Sequence, residues 1–178
     1  MDDSKNKRIK IGITGPECCG KTSLTQRLHH ELKLPMVHEY ARGYFERRAI
    51  SNRKETIYHI AREQIKLENE ASGRHKVIIC DTDLINIKLW LQYYNQPIPD
   101  FIEYHLKTNP YSFSLLLYPN IPWESDGIRA NPLNRLSLYK QFEAELKKYD
   151  IPYTSIHEME EARYSAAAGA IQTVIPKA

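Results

Sequence analysis

Long apolar runs are absent from this chain: no stretch approaches the ~20 residues that a membrane-spanning helix needs, and the N-terminus, M-D-D-S-K-N-K-R, is polar and leads straight into a strand pattern. Secretion and membrane insertion are not expected. Cysteine is scarce, with three residues, Cys18, Cys19 and Cys80. An odd number, two of them adjacent, yields neither a disulfide framework nor zinc-ligand spacing, and a reducing cytoplasm is the expected location. A strong charge of one sign is also missing. The net charge is +3 and the basic residues are dispersed, whereas binding nucleic acid needs a clustered basic stripe. No nucleic-acid or membrane partner is therefore expected. Internal repeats and low-complexity segments are lacking too.

What is present is ordinary globular composition, 42% hydrophobic and 26% charged over 178 residues. A chain of this length forms one domain that buries roughly two-thirds of its unfolded surface without help from disulfides or a structural metal. Apolar, β-rich runs at 9–14, 34–38, 76–81, 113–118 and 152–156 alternate with segments whose apolar residues recur every three or four positions. Five short strands separated by helices predict an α/β fold, a three-layer sandwich with a five-stranded parallel sheet and helices on both faces, and the loop G-P-E-C-C-G-K-T at 15–22 makes the expected fold that of a P-loop NTPase. Residues 1–8 read as a flexible tail and 9–178 as the single domain. The stretch 119–135, broken by Pro119, Pro122, Gly127 and Pro132, reads as a functional loop or lid. Helix faces rich in Tyr and Leu line either the core or a homo-oligomer contact.

Residues 15–22 read G-P-E-C-C-G-K-T and match G-x-x-x-x-G-K-[ST], with a strand of alternating Ile before and an amphipathic helix after. Gly15, Pro16, Glu17, Cys18, Cys19, Gly20, Lys21, Thr22 and Ser23 are thus candidates to cradle the phosphates of ATP. Two glycines let the backbone N–H groups curl inward, and the helix dipole adds positive potential. Lys21 is expected to reach the β- and γ-phosphates, and the Thr22 hydroxyl to ligate Mg²⁺. A helix N-terminus also lowers a thiol's pKa, which makes Cys18 or Cys19 a candidate for oxidation, against the plainer reading of small residues tolerated on the loop. The strand K-V-I-I-C-D ends in Asp81, the expected acidic partner for the metal. Asp83 follows where a substrate can approach, and it is equally placed to cap the next helix.

A GTPase would show N-K-x-D and D-x-x-G, and neither is convincingly here. A motor, transporter or AAA+ ATPase needs more chain or a second acid adjoining the first, whereas this strand ends C-D-T-D. Small-molecule kinase remains, which requires a carboxylate for the acceptor hydroxyl and an arginine for the transferred phosphoryl group. Glu39 and Arg42 lie just past the second strand, and Arg129 and Arg135 lie in the lid segment.

G-P-E-C-C-G-K-T, E-Y-A-R-G-Y, C-D-T-D-L with the following K-L-W, and Y-P-N-I-P-W-E-S-D-G-I-R resemble, in order, the motifs of the ribosylnicotinamide kinase domain of the NadR family. The resemblance runs from about residue 9 to 135. It implies transfer of the ATP γ-phosphoryl group to the 5′-hydroxyl of nicotinamide riboside, giving nicotinamide mononucleotide in NAD salvage. By that likeness Asp81 serves Mg²⁺, Glu39 or Asp83 serves the ribose or its 5′-hydroxyl, and Arg129 serves the phosphates; Arg135, from its place in the lid segment, is a further candidate for them. Tyr44, Trp90 and Trp123 are then candidates to stack on the cationic pyridinium, with core or lid packing as the alternative. The family often has serines where this chain has Cys18 and Cys19. Its adenylyltransferase H-x-G-H signature and DNA-binding segment have no counterpart in these residues, so the resemblance implies synthesis of the mononucleotide alone. Another nucleoside or metabolite as acceptor, and a regulatory module that binds ATP without transferring phosphate, stay open.

Overall fold

The alternating isoleucines of residues 9–14 form β1 (Ile9–Thr14), the middle strand of a five-stranded parallel sheet of order β2-β3-β1-β4-β5. The structure, a computed structural model, describes residues 8–47, 53–122 and 134–175. The other strands are β2 (Met36–Val37), β3 (Val77–Asp81), β4 (Phe113–Leu117) and β5 (Tyr153–Ile156). All five lie inside the runs expected from the sequence. β2 is the shortest because it is an edge strand beside Pro35, which has no N–H to donate and contributes only its carbonyl, accepting from the Ile79 N–H at 2.9 Å.

Among the described residues seven helices join them: α1 (Lys21–Leu32), α2 (Tyr40–Phe45), α3 (Arg53–Arg74), α4 (Leu84–Tyr93), α5 (Asp100–Thr108), α6 (Arg135–Lys148) and α7 (Glu160–Gln172). Two go beyond the sequence reading. E-Y-A-R-G-Y, read as a motif past a strand, is mostly the short α2. The segment after Pro99 is α5, which has Asp100 and Glu103 in its first turn and His105 and Lys107 in its last, the charge order that suits a helix dipole.

Period-two alternation divides the core. Ile11, Ile13, Leu115 and Leu117 point to one face, where Leu24 and Leu28 of α1 and Ala167 and Ile171 of α7 cover them. Ile78, Cys80 and Leu116 point to the other face, which α2 to α6 cover. The helix following β1 therefore leaves on one face, and the helix following β3 leaves on the opposite face. A crevice forms at the carboxyl ends of these two neighbouring strands, where doubly wound sheets bind ligands. Among the described residues no helix is long and apolar enough to cross a membrane.

Candidate active site

Beyond Thr14 the chain curls through Gly15–Gly20 before entering α1. Gly15 has φ 135°, and a Cβ there would stand 2.7 Å from the Leu117 carbonyl oxygen. Gly20 precedes α1 at φ 76°, where a Cβ would meet Ile121 at 2.9 Å and the Arg163 Nη1 at 3.0 Å. Both positions require glycine on conformation and on space. α1 has no side-chain cap and no acidic residue in its first turn, so its leading N–H groups are left for an anion. Lys21 Nζ donates to the carbonyls of Gly15 and Pro16, each at 2.8 Å, and so already lies folded over the loop. Cys19 is buried and donates its S–H to Pro16 O at 2.9 Å, which gives it a holding role in the loop, while Cys18, at φ 53°, is half-buried.

The two aspartates after β3 are nearly sealed: Asp81 is 2% exposed and Asp83 is 0% exposed. Burial raises the Asp81 carboxyl above its ordinary value, opposed by a hydrogen bond from the Thr22 hydroxyl and the nearby Lys21 charge. Its Oδ1 has no hydrogen-bond partner. Asp83 Oδ1 accepts from Asn86 N at 3.0 Å and caps α4, while Oδ2 is buried without a partner. Burial pushes Asp83 up to about 6, against the Asn86 N–H and the Thr14 hydroxyl. Between them Thr82 is held at φ 77°. A β-branched residue in that region stores about 1–3 kcal/mol of strain, and the kink ends the strand between the two carboxylates.

The Thr22 hydroxyl and the orphan oxygen of Asp81 fit one Mg²⁺, which binds few protein ligands and takes the rest from water and phosphate. Among the described residues no three His, Cys, Asp or Glu side chains converge to hold a metal unaided.

A cavity of about 480 Å³ runs from Lys21 and Thr22 past Glu39 and Arg42 to Arg53, Asn86, Trp90 and Tyr94, a size that suits a small molecule. Glu17 and Ser23 also line it, and Pro16 serves the loop through its carbonyl. Glu39 is the residue before α2, with Arg42 Nε 3.9 Å from its carboxylate. Trp90 is half-buried on α4, its ring centroid 6.4 Å from that of Phe45. Tyr44 lies outside the lining: its ring packs against Tyr40, Phe45 and His59, and Phe45 takes the place on the cavity wall. Asp83 also lies beneath the wall and not in it. Arg135 opens α6 and donates to Ile121 O at 2.8 Å and Cys18 O at 3.4 Å, against the phosphate loop. Trp123 and Arg129, with most of the expected lid, lie outside the described residues.

Arg53, Asn86 and Tyr94 of the wall were not singled out from the sequence, and neither was Arg163. Arg163 is 6% exposed, presses on Gly20, donates to Tyr118 O at 3.4 Å and has an unpartnered Nε. A signal existed: Arg163 stands one helical step ahead of Ala167 and Ile171 on the buried stripe of α7.

Residues 10–163 match a protein family described as an AAA domain. The chain belongs to that family. This AAA domain family takes in a chain of 178 residues whose strand ends C-D-T-D, so neither the length nor that strand end excludes it, and the match specifies no reaction. The fold of this AAA domain is also that of solved kinases. A NadR protein in complex with NR superimposes with a TM-score of 0.76 at 19% identity, over 93% of this chain and 51% of that chain. The resemblance to NadR thus holds in the fold, and the chain spans about half the length of the NadR chain it matches. Thymidylate kinase from Ehrlichia chaffeensis aligns over 94% of this chain and 98% of its own, with a TM-score of 0.64 at 14% identity. Deoxyadenosine kinase from M. mycoides with bound dATP aligns over 93% and 100%, with a TM-score of 0.60 at 14% identity. The architecture is a P-loop nucleoside kinase-like fold.

Proposed function

We propose that this AAA domain chain is an ATP- and Mg²⁺-dependent nucleoside kinase whose acceptor is nicotinamide riboside, phosphorylated on its 5′-hydroxyl to nicotinamide mononucleotide. One observation carries the reading: a single cavity joins the phosphate loop to a wall bearing Glu39, Phe45, Trp90 and Tyr94. Aromatic faces beside a carboxylate suit a cationic pyridinium riboside. In this reading Lys21 and the loop amides hold the triphosphate, and Thr22 and Asp81 would hold Mg²⁺, which when bound neutralises phosphate charge. Glu39, which reaches the cavity while Asp83 does not, orients the acceptor hydroxyl and takes its proton. The hydroxyl oxygen bonds to the γ-phosphorus, the bond from that phosphorus to the β,γ-bridging oxygen breaks, and ADP leaves. Arg42 and Arg135, together with Arg129, are assigned to the charge of the phosphates. Most of the acceleration comes from positioning and charge stabilisation.

The thymidylate and deoxyadenosine kinases that share the fold favour a second acceptor reading, another nucleoside or nucleotide. The test is ADP release from ATP and Mg²⁺ with and without nicotinamide riboside, followed by mass spectrometry of the product and then a nucleoside panel. Mononucleotide formed at ~1–100 per second, the ordinary range for kinases, supports the proposal. Transfer only to another acceptor replaces the substrate, and ATP binding without transfer to any of them leaves a regulatory module.

A further inference from the structure

Glu68, in the second half of α3, is 1% exposed and lies outside the cavity, yet it collects three groups. Lys10 Nζ stands 3.1 Å from Oε2, the Tyr111 hydroxyl donates to both oxygens at 2.8 and 3.0 Å, and Gln64 Nε2 donates to Oε1 at 3.2 Å. Two of these groups reach onward. Gln64 Oε1 accepts from the Tyr40 N–H at 3.0 Å, and the Tyr111 oxygen accepts from the Leu84 N–H at 2.9 Å. Tyr40 and Leu84 are the first residues of α2 and α4, and their neighbours are Glu39 and Asp83. Both N–H groups are among those a helix cannot satisfy itself. Through them the network grips both elements that wall the acceptor end of the cavity, since α4 also carries Asn86 and Trp90.

We propose that Glu68 is a positioning residue for the acceptor, placing Glu39 through Gln64 and the Asp83–Asn86–Trp90 segment through Tyr111. The proposal rests on the kinase reading for its effect on turnover, though not for its geometry. Packing alone explains the network poorly, because a buried ion pair contributes little stability compared with apolar residues of the same volume. β1 makes room for it: a Cβ at Gly12 would meet the Tyr111 ring at 3.2 Å. Lys10, further held by Asn109 O at 3.1 Å and lying 4.3 Å over the Tyr111 ring, balances the Glu68 charge. The onward hydrogen bonds of Gln64 and Tyr111 lead to α2 and α4, the elements of the acceptor wall.

The experiment compares the wild-type chain with Glu68→Gln and Tyr111→Phe, the second of which keeps the Lys10–Glu68 pair and decides the matter if the first does not fold. With ATP and nicotinamide riboside, each variant is expected to lose roughly tenfold to a hundredfold in kcat/KM for the nucleoside, with KM for ATP changed less than about twofold. In ¹⁵N-amide NMR, Glu68→Gln is expected to move the Tyr40 and Leu84 amides. Tyr111→Phe should move Leu84 and leave Tyr40 in place. Equal losses toward ATP and nucleoside, unchanged nucleoside kinetics, or unmoved Tyr40 and Leu84 amides would overturn the proposal. If the wild-type chain transfers phosphate to no nucleoside, the kinase reading falls, and the NMR comparison alone decides whether Glu68 positions α2 and α4.

Discussion

Glu39 and Asp83 have the same chemistry and different surroundings, and burial separates their roles. Glu39 lines the cavity, so Glu39→Gln is expected to lower kcat by ~10²–10⁴, the range for loss of a general base, while ATP affinity stays. Lys21→Ala is expected to abolish transfer altogether, because it removes the cation folded over the loop. Asp83 is a cap whose charge the interior disfavours. Its pKa rises from 3.8 to about 6 on folding, so this site favours the fold fully below pH ~4 and loses that contribution as pH rises through ~6. Ionised, it costs the native state on the order of 3 kcal/mol. Asparagine caps as well as aspartate. Asp83→Asn is therefore expected to raise the melting temperature at pH 7.5, with the gain over wild type growing between pH ~4 and ~6 and level above that. Melting curves across pH 4–8 check this, and a variant less stable than wild type at pH 7.5 would remove the buried-charge account. Of these residues the sequence showed type and order. It could not show that Asp83 is sealed, because burial is a property of the neighbours.

At the scale of elements, α4 carries Asn86 and Trp90 of the cavity wall and is held from both sides. One hold is the network of Glu68 and Tyr111. The other is Lys88, 1% exposed, whose ammonium reaches Glu103 of α5 at 2.9 Å, Glu145 of α6, and the Tyr149 hydroxyl at 2.8 Å. Burial alone would raise the Glu103 carboxyl, yet the Tyr149 hydroxyl and Lys88 hold it down to about 2. Its contribution is therefore present above its ordinary pKa of 4.5 and lost as pH falls toward 2. Lys88→Met is expected to cost about 3 kcal/mol in urea unfolding, the low end for breaking a buried pair, since both carboxylates keep some contact with water. It should also shrink the loss of stability below pH ~4 that Glu103 produces in wild type. The five strands and the long helices were legible from periodicity. α2 escaped because its six residues are too few to show a period, and α5 escaped because a nine-residue helix after a proline-rich turn falls short of the window in which a period shows.

At the scale of the molecule, the strand order brings the ends of β1 and β3 together and sends their helices to opposite faces, so one cavity meets both the phosphate loop and the wall of α2 and α4. Saturating ATP and Mg²⁺ at ~100 times Kd is expected to stabilise the fold by about 2.7 kcal/mol, seen as a rise in melting temperature that Lys21→Ala removes. An acceptor nucleoside should add a further rise that survives in Lys21→Ala, because its wall is built on other elements. The sequence by itself determined the phosphate loop, the parallel sheet and the acid at the end of β3, because each is written in consecutive residues whose backbone geometry depends on near neighbours. Only the tertiary structure decided which carboxylate meets the cavity, that Arg163 presses on Gly20, and that Lys10, Glu68 and Tyr111 form one network. Those depend on side chains up to more than a hundred positions apart, brought together by the burial of two apolar faces that no short pattern encodes.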